Sequence, residues 1–419
     1  MSEIPTRAQA RVERRTLGSV AARHGRLKQR RLVNVMFRCS AVVASVVVFS
    51  GAIVAGYAWF DVVGNLKPAV ALVDKNGKQV APSVGAIDGA FNILLAGSDS
   101  GDGNPAYGQR GETLNDVTML LHVSGDHKNA TVVSFPRDMF VQIPSCPDPK
   151  GGHFSAMSKQ KINSTLSYGG LACTVLTVEN LTGLDIPYAA LIEFDGVIEM
   201  SNAMGGVPVC VAGAINDPYT GLALSAGDHT LQGAQALAFL RTRHGVGDGS
   251  DLGRISNQQV FLSSLVRTVK SAGTLSNPTT VYALAKAATS NMTMSTSLNN
   301  VTTLASMALA LKNVDVSKVV FVQYPNHYVE GGVDPSTAPA AVLMNALKYD
   351  HPVTITGDTG VGSEGAPGQP AVTPSPAATG SATQSTATTP PQQGSAIDLP
   401  QSVHGQTGAQ VTCSKPFSE

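Results

Sequence analysis

Two aspartates and a set of arginines are spaced as a metal-assisted reaction on phosphate would need them. Asp99 follows an apolar run and a glycine, in AGSDSGDG, and Asp116 opens a second apolar run. Hard divalent ions such as Mg2+ take carboxylate oxygens and often keep several waters. Two carboxylates at adjacent strand ends could therefore hold one ion, with Asp102 as a spare. Arg110, Arg137, Arg241, Arg243 and Arg254 stand near the ends of expected elements. Guanidinium groups clasp phosphate oxygens bidentately and stay charged. In phosphoryl transfer they and a metal offset charge developing on the equatorial oxygens and the leaving group. Arg241 and Arg243 alternate, so an extended backbone would turn both to one side, whereas a helix would set them about 200 degrees apart. The alternative is that these are ordinary turn aspartates and solvated arginines. A charged fraction of only 14% weighs against it where arginines gather near Gly-Asp loops.

Strand ends must position such groups, because a sheet holds the loops at its rim still. Ile93–Ala96, Met119–Val123 and Thr131–Phe135 are continuous apolar runs, as in strands covered on both faces. Gly125 and Asp126 are turn formers, so the second and third runs read as a hairpin and the sheet as mixed. Pro136 ends the third run and releases Arg137 and Asp138 into a loop. Helical patterns follow at 171–181, stopped by Gly183, and at 232–240, 253–271, 278–289, 298–311 and 338–347. Strand patterns recur at 188–194, 207–211 and 319–322. Interleaved helices and strands predict an α/β fold with layers around a mixed sheet. The helices after Gly253 are rich in Leu, Val, Ala and Met. They read either as plain core or as the wall of a cavity for a lipid tail.

Net charge is zero but uneven: residues 1–38 carry ten Lys and Arg against two Glu. Cys39–Phe60 follows, 22 residues without a charge, long enough at ~1.5 Å per residue to cross a bilayer core. Arg30, Arg31 and Arg38 before it, and Tyr57 and Trp59 near its end, predict a single span with the N-terminus inside and the rest outside. A cleaved signal peptide and a buried core helix are the alternatives. A nucleic-acid binder would carry its positive excess in the folded part, so that class is set aside. Cys146 and Cys173 are expected to pair, while the state of Cys210 and Cys413 is open. Residues 61–89 read as a stalk or domain edge and 90–350 as the folded domain. Residues 351–419, rich in Pro, Thr, Ser, Ala and Gln, read as a disordered tail. No Walker A lysine, dinucleotide fingerprint or metal-ligand histidine spacing is present.

The stretches NILLAGSDS, NDVTMLLHV, VVSFPRDMFVQIP, KINSTLSYGG, TVENLTGLDIPYAALIEFDGV, ALAFLRTRHG and GDGSDLGRISNQQVFLSSL, in that order, resemble the LytR–CpsA–Psr family of cell-envelope proteins. The likeness covers about 90–347. It implies an α-β-α fold and a phosphotransferase on the outer face of a Gram-positive, actinobacterial-type envelope. Such an enzyme moves a glycopolymer from a polyprenyl-pyrophosphate carrier to peptidoglycan, with Mg2+ and arginines on the pyrophosphate and the prenyl chain in an apolar tunnel. By motif, the resemblance makes Asp99 and Asp116 the metal-side carboxylates and gives Arg137 a phosphate. It adds Arg241, Arg243 and Arg254 to the cationic wall, and lets Asp251 orient an arginine or help take a proton. Two positions depart from the family pattern. Asn115-Asp116-Val117 stands where Ser-Asp-Thr is common, and Asn257 where an arginine is common. A pyrophosphatase using water, and a noncatalytic scaffold or regulator, are the competing readings.

Overall fold

The structure is a computed structural model that describes residues 24–74, 77–80, 87–98, 113–148, 150–271, 273–274, 276–368 and 395–418. It divides into two units, Met1–Asp61 and Val62–Glu419. Helix α1 (His24–Gly64) contains an apolar stretch, Val33–Gly64, long enough to cross a membrane. From Val33 to Phe60 none of its residues is buried, whereas a core helix of a soluble protein would bury one face.

The second unit is built on a mixed seven-stranded sheet. Its strands, with those of a smaller side sheet, are β1 (Phe91–Ser98), β2 (Asn115–Val123), β3 (Ala130–Phe135), β4 (Tyr188–Ile192), β5 (Val207–Val211), β6 (Gly227–Leu231), β7 (Met292–Met294), β8 (Val319–Gln323), β9 (Ser363–Gly365), β10 (Gly405–Thr407) and β11 (Thr412–Ser414). The large sheet runs β7-β4-β1-β2-β3-β8-β10 and the side sheet β6-β5-β11-β9. The hairpin expected at Gly125 is present, with His122 opposite Thr131 and Thr118 opposite Phe135.

Side chains along a strand alternate between faces, and the two cores follow that period. Leu94 and Ala96 of β1, Leu120 of β2, Val133 and Phe135 of β3, and Val320 and Val322 of β8 enter one core. Helices α2 (Thr165–Thr182) and α8 (Thr337–Lys348) cover it, through Val175, Val178, Leu343 and Leu347. Phe91 and Leu95, Leu121 and Val123, Val132, and Phe321 enter the other. There they meet Leu262 and Val266 of α5 (Asp251–Lys270) and Met307 and Ala310 of α7 (Val301–Asn313). The expected α-β-α layering is thus present, and it explains why these strands lack a polar face. Two further helices, α3 (Phe194–Ala203) and α4 (Gly233–Arg241), stand between the sheets, and α6 (Pro278–Asn291) packs near β7. Gly183 ends α2 at φ 70°, a left-handed cap that glycine adopts without strain.

Of the two readings of residues 61–89, the domain edge fits: Leu72 is buried, and the Val70 N–H donates to Met294 O at 2.9 Å. The reading of the tail needs correction. The tail from residue 351 is not disordered at its described ends. β10 closes the edge of the large sheet, and β11 lies in the middle of the side sheet. Composition misled here because polar partners, rather than apolar area, fix these short strands. Gln406 donates to Gln259 O at 2.7 Å, and Thr412 donates to Gln406 Oε1 at 2.8 Å, all of them buried. A disulfide joins Cys210 to Cys413, 203 residues apart, and the expected Cys146–Cys173 bridge is present. Residues 369–394 lie outside the described residues.

Candidate functional site

β1, β3, β4 and β8 all point the same way, because β1 is parallel to β4, β3 to β8, and β2 is antiparallel to both β1 and β3. Their C-terminal ends and the N-terminal end of β2 therefore share one rim. Asp116 stands there on β2, Arg137 and Asp138 after β3, Glu193 after β4 and Gln323 at the end of β8. A bulge at Gly97/Ser98 ends the β1–β2 pairing, and a Cβ on Gly97 would lie 2.9 Å from Val117 Cβ. Only glycine fits that close approach.

Arginines and acids alternate along the rim. Arg137 Nη1 donates to Asp116 Oδ1, and its Nε lies 3.7 Å from Asp138 Oδ2. Arg243 Nη2 lies 3.8 Å from the same Asp138 oxygen, and Lys161 Nζ 3.2 Å from Asp138 Oδ1. Arg254 sits deepest, its side chain 4% exposed. It donates to Asp116 O at 2.7 Å, lies 3.7 Å from Asp116 Oδ1, and meets Asp251 Oδ1 at 2.5 Å. Asp251 Oδ2 accepts the Arg137 N–H at 2.8 Å. One carboxylate thus fixes the backbone of one arginine and the side chain of another.

Burial opposes the charge on Arg137, but Asp116, Asp138 and Asp251 outweigh it and raise its pKa above the usual value. The guanidinium stays charged in a half-enclosed place. Among the described residues, the buried Nε atoms of Arg137, Arg243 and Arg254 have no hydrogen-bond partner. A buried donor left unmade is costly, so these three point to an anionic ligand. Arg243 is held from behind by buried Asp217, which accepts from Thr242 Oγ1 at 2.5 Å. Burial pushes the Asp217 carboxyl up, but the Thr242 hydroxyl and the N–H groups of Tyr219, Arg243 and Thr220 hold it below the usual range.

An apolar cavity of about 190 Å3 opens beside the rim. Asp116 and Arg254 stand at its polar side, and Val197, Met200, Leu237, Phe261 and Leu265 line its depth. Its walls come from α3, α4 and α5 and from the ends of β1, β2 and β4, and among the described residues α5 is the one helix of those expected after Gly253 that contributes. Arg241 also borders it, with its guanidinium 4.1 Å over the Phe194 ring.

The structure brings together Asp116, Arg137, Arg243, Asp251 and Arg254. Arg241 borders the same cavity as Asp116 and Arg254 but on the other side of a helix end from Arg243, because α4 ends at Arg241 and the chain turns extended at Thr242. Asp99, Asp102 and Arg110 lie outside the described residues. Asp138, expected beside Arg137 in the rim loop but given no role, links three cations, Arg137, Arg243 and Lys161. Lys161 carried no signal in the sequence. The two departures find structural partners. Asn115 pairs with the Thr118 hydroxyl at 2.6 Å, and the Val117 side chain lines the cavity. Asn257 donates to Phe239 O at 2.7 Å and accepts from Ser414 Oγ, so it joins α4 to β11 rather than facing a ligand.

For a metal, Asp116 supplies the right oxygen chemistry at the rim. No group of three or more His, Cys, Asp or Glu side chains could hold an ion among the described residues.

The LytR_cpsA_psr family model matches residues 66–348. The cell wall biosynthesis protein LcpA of Corynebacterium glutamicum is 31% identical over 289 residues, 62% of this chain and 55% of that one. A polyisoprenyl-teichoic acid–peptidoglycan teichoic acid transferase, TagU of Enterococcus faecalis, is 31% identical over 188 residues, 45% of this chain and 56% of the relative. The chain thus spans a little over half the length of these relatives. Among solved structures, a LytR-Csp2A-Psr enzyme from Actinomyces oris superposes with a TM-score of 0.51 at 21% identity, covering 67% of this chain and 96% of that one, a likeness of fold. With the family model matching over half of its length, the chain belongs to the LytR–CpsA–Psr family.

Proposed function

We propose that this chain is a membrane-anchored phosphotransferase that moves a glycopolymer from a polyprenyl-pyrophosphate carrier to peptidoglycan. One observation carries the reading: Arg254, with an unspent buried donor, borders an apolar cavity, and it shares Asp116 with Arg137, whose own Nε is also unspent. A ligand with a pyrophosphate head and a hydrocarbon tail satisfies both features. Arg137, Arg243 and Arg254 grip the pyrophosphate oxygens, and Asp251 orients two of them. The cavity between α3, α4 and α5 takes the start of the prenyl chain. Asp116, with Asp99, would hold Mg2+, which when bound supplies Lewis-acid charge to the phosphates. A peptidoglycan hydroxyl attacks the sugar-linked phosphorus, the bond to the carrier phosphate breaks, and polyprenyl phosphate leaves. The arginines offset the negative charge that gathers on that leaving group. The apolar stretch Val33–Gly64 anchors the chain, with its basic arm in the cytoplasm and the catalytic unit outside.

The test uses the full chain in detergent with a lipid-linked glycopolymer, Mg2+ and peptidoglycan oligomers. Conjugate carrying a phosphodiester is expected by mass spectrometry, and its loss in Arg243→Ala and Asp99→Ala. Release of free polymer without conjugate would instead make the chain a hydrolase. Saturable lipid binding with no turnover would make it a scaffold.

A further inference from the structure

A second cavity, of about 250 Å3, lies on the other side of the first turn of α5. Asp248 and Leu252 face it, whereas Arg254 and Gln258 face the apolar one. Gln323 and Tyr324, at the end of β8, form part of its wall. β8 lies beside β3, whose end carries Arg137, so both cavities open on the same rim. A water takes up about 30 Å3 in the liquid, so this space suits a small ligand rather than one ordered water.

Its chemistry is different from that of the arginine rim. Among the described residues no arginine or lysine lines it, and its polar groups are those of Asp248, Asn326, His327, Tyr328, Ser402 and His404, beside Gln323. Such a wall offers donors and acceptors in mixture and no fixed cation to draw phosphate. Tyr328, 60% exposed, adds an aromatic ring with a polar tip. An uncharged ring bearing many hydroxyls is the ligand class that uses these groups together. The wall is also held in place. Tyr328 Oη donates to Asp248 Oδ2 at 3.1 Å and lies 3.2 Å from Ser250 Oγ, and Ser250 caps α5, the helix that carries Asp251 and Arg254. His404 Nδ1 lies 2.5 Å from Asp358 Oδ1, and the His404 carbonyl accepts the Gln323 N–H at 2.9 Å. A carboxylate on Nδ1 fixes the ring's orientation and leaves Nε2 as the atom that faces away from it.

We propose that this cavity is the acceptor subsite, binding an uncharged sugar ring of a glycan strand and presenting its hydroxyl to the rim. The inference rests on the transferase reading. Val361, Ser402 and His404 come from beyond residue 348, where the family match ends. This part of the chain therefore sets which sugar is accepted, and the matched part performs the transfer.

The experiment uses the full chain in detergent and an uncharged GlcNAc oligosaccharide, with binding read by saturation-transfer NMR in the absence of lipid donor. Tyr328→Ala and Asn326→Ala are expected to weaken glycan binding at least tenfold. Ser402→Trp, a surface change that fills the cavity without touching the core, is expected to abolish it. Binding of the lipid donor, measured separately, is expected to stay within twofold in all three. No glycan binding by the wild type, or binding untouched by all three variants, overturns the proposal. Glycan binding that maps to this cavity in a chain that never consumes donor would refute the transferase reading while leaving a sugar site in place.

Discussion

Replacing Arg254 by alanine tests whether the rim is a built ion network or a set of loose surface charges. Arg254 is almost fully enclosed and meets Asp251 Oδ1, Asp116 Oδ1 and Asp116 O. Among the described residues, its loss leaves the Asp251 carboxylate, 7% exposed, with the Arg137 N–H as its side-chain hydrogen bond and no guanidinium in direct contact. Removing one partner of a buried pair costs about 3–5 kcal/mol. The neighbouring Arg137 still covers Asp116, so the lower end of that range is expected. Removing Asp251 as well takes away the stranded charge. The Arg254→Ala, Asp251→Ala double variant should therefore fall short of additivity by about 1–3 kcal/mol. Urea unfolding of the full chain with both disulfides intact measures this as a drop in midpoint at constant slope. A single-variant cost below about 1 kcal/mol, or an additive double variant, would refute the reasoning. Arg254→Lys keeps the charge but not the planar fork, and turnover should fall about 100-fold, the scale for one lost transition-state donor.

Three further outcomes follow from the same structure. Val197→Trp fills the apolar cavity, so the KM for a long-chain lipid donor should rise while that for a short-chain analogue changes little. Burial lowers the pKa of His122 from 6.5, against the pull of Asp350. The unfolded chain thus binds a proton that the folded chain refuses, and stability is lost as pH falls from about 6.5 through the folded pKa. His122→Asn should flatten that part of a stability–pH curve. Cys413→Ser frees the closure of a 203-residue loop, worth at most about 5 kcal/mol by chain entropy. Its midpoint should drop under oxidising conditions and match the wild type under reducing ones.

The strands at 91–98, 115–123, 130–135 and 319–323 were legible because both of their faces are buried and the runs are continuously apolar. The rim was legible where punctuation marked it. Pro136 exposed Arg137 and Asp138, and the Gly-Asp loop before α5 framed Asp251 and Arg254. Arg241 and Arg243 were separated because a helix boundary falls between them, a matter of one residue that periodicity does not resolve. The cavity walls in α3 and α4 were hidden for another reason. Short helices at 194–203 and 233–241 show an apolar face to their neighbours whether that face meets core or empty space. The C-terminal strands escaped notice because hydrogen bonds from Gln406 and Thr412 and one disulfide hold them, and none of these registers in hydropathy.

The last strand of the large sheet, β10, comes from residues 405–407, and its partner β8 ended more than 80 residues earlier. Until that piece arrives, β8 presents an open row of N–H and C=O groups on an apolar strand, a template for pairing with another molecule. The molecule is therefore sealed from its far end. A version cut back to the family-matched segment would keep every arginine of the rim but leave a sticky seam along its side and lose the wall that Val361, Ser402 and His404 give the second cavity, so self-association and a broken sugar site would both follow from trimming.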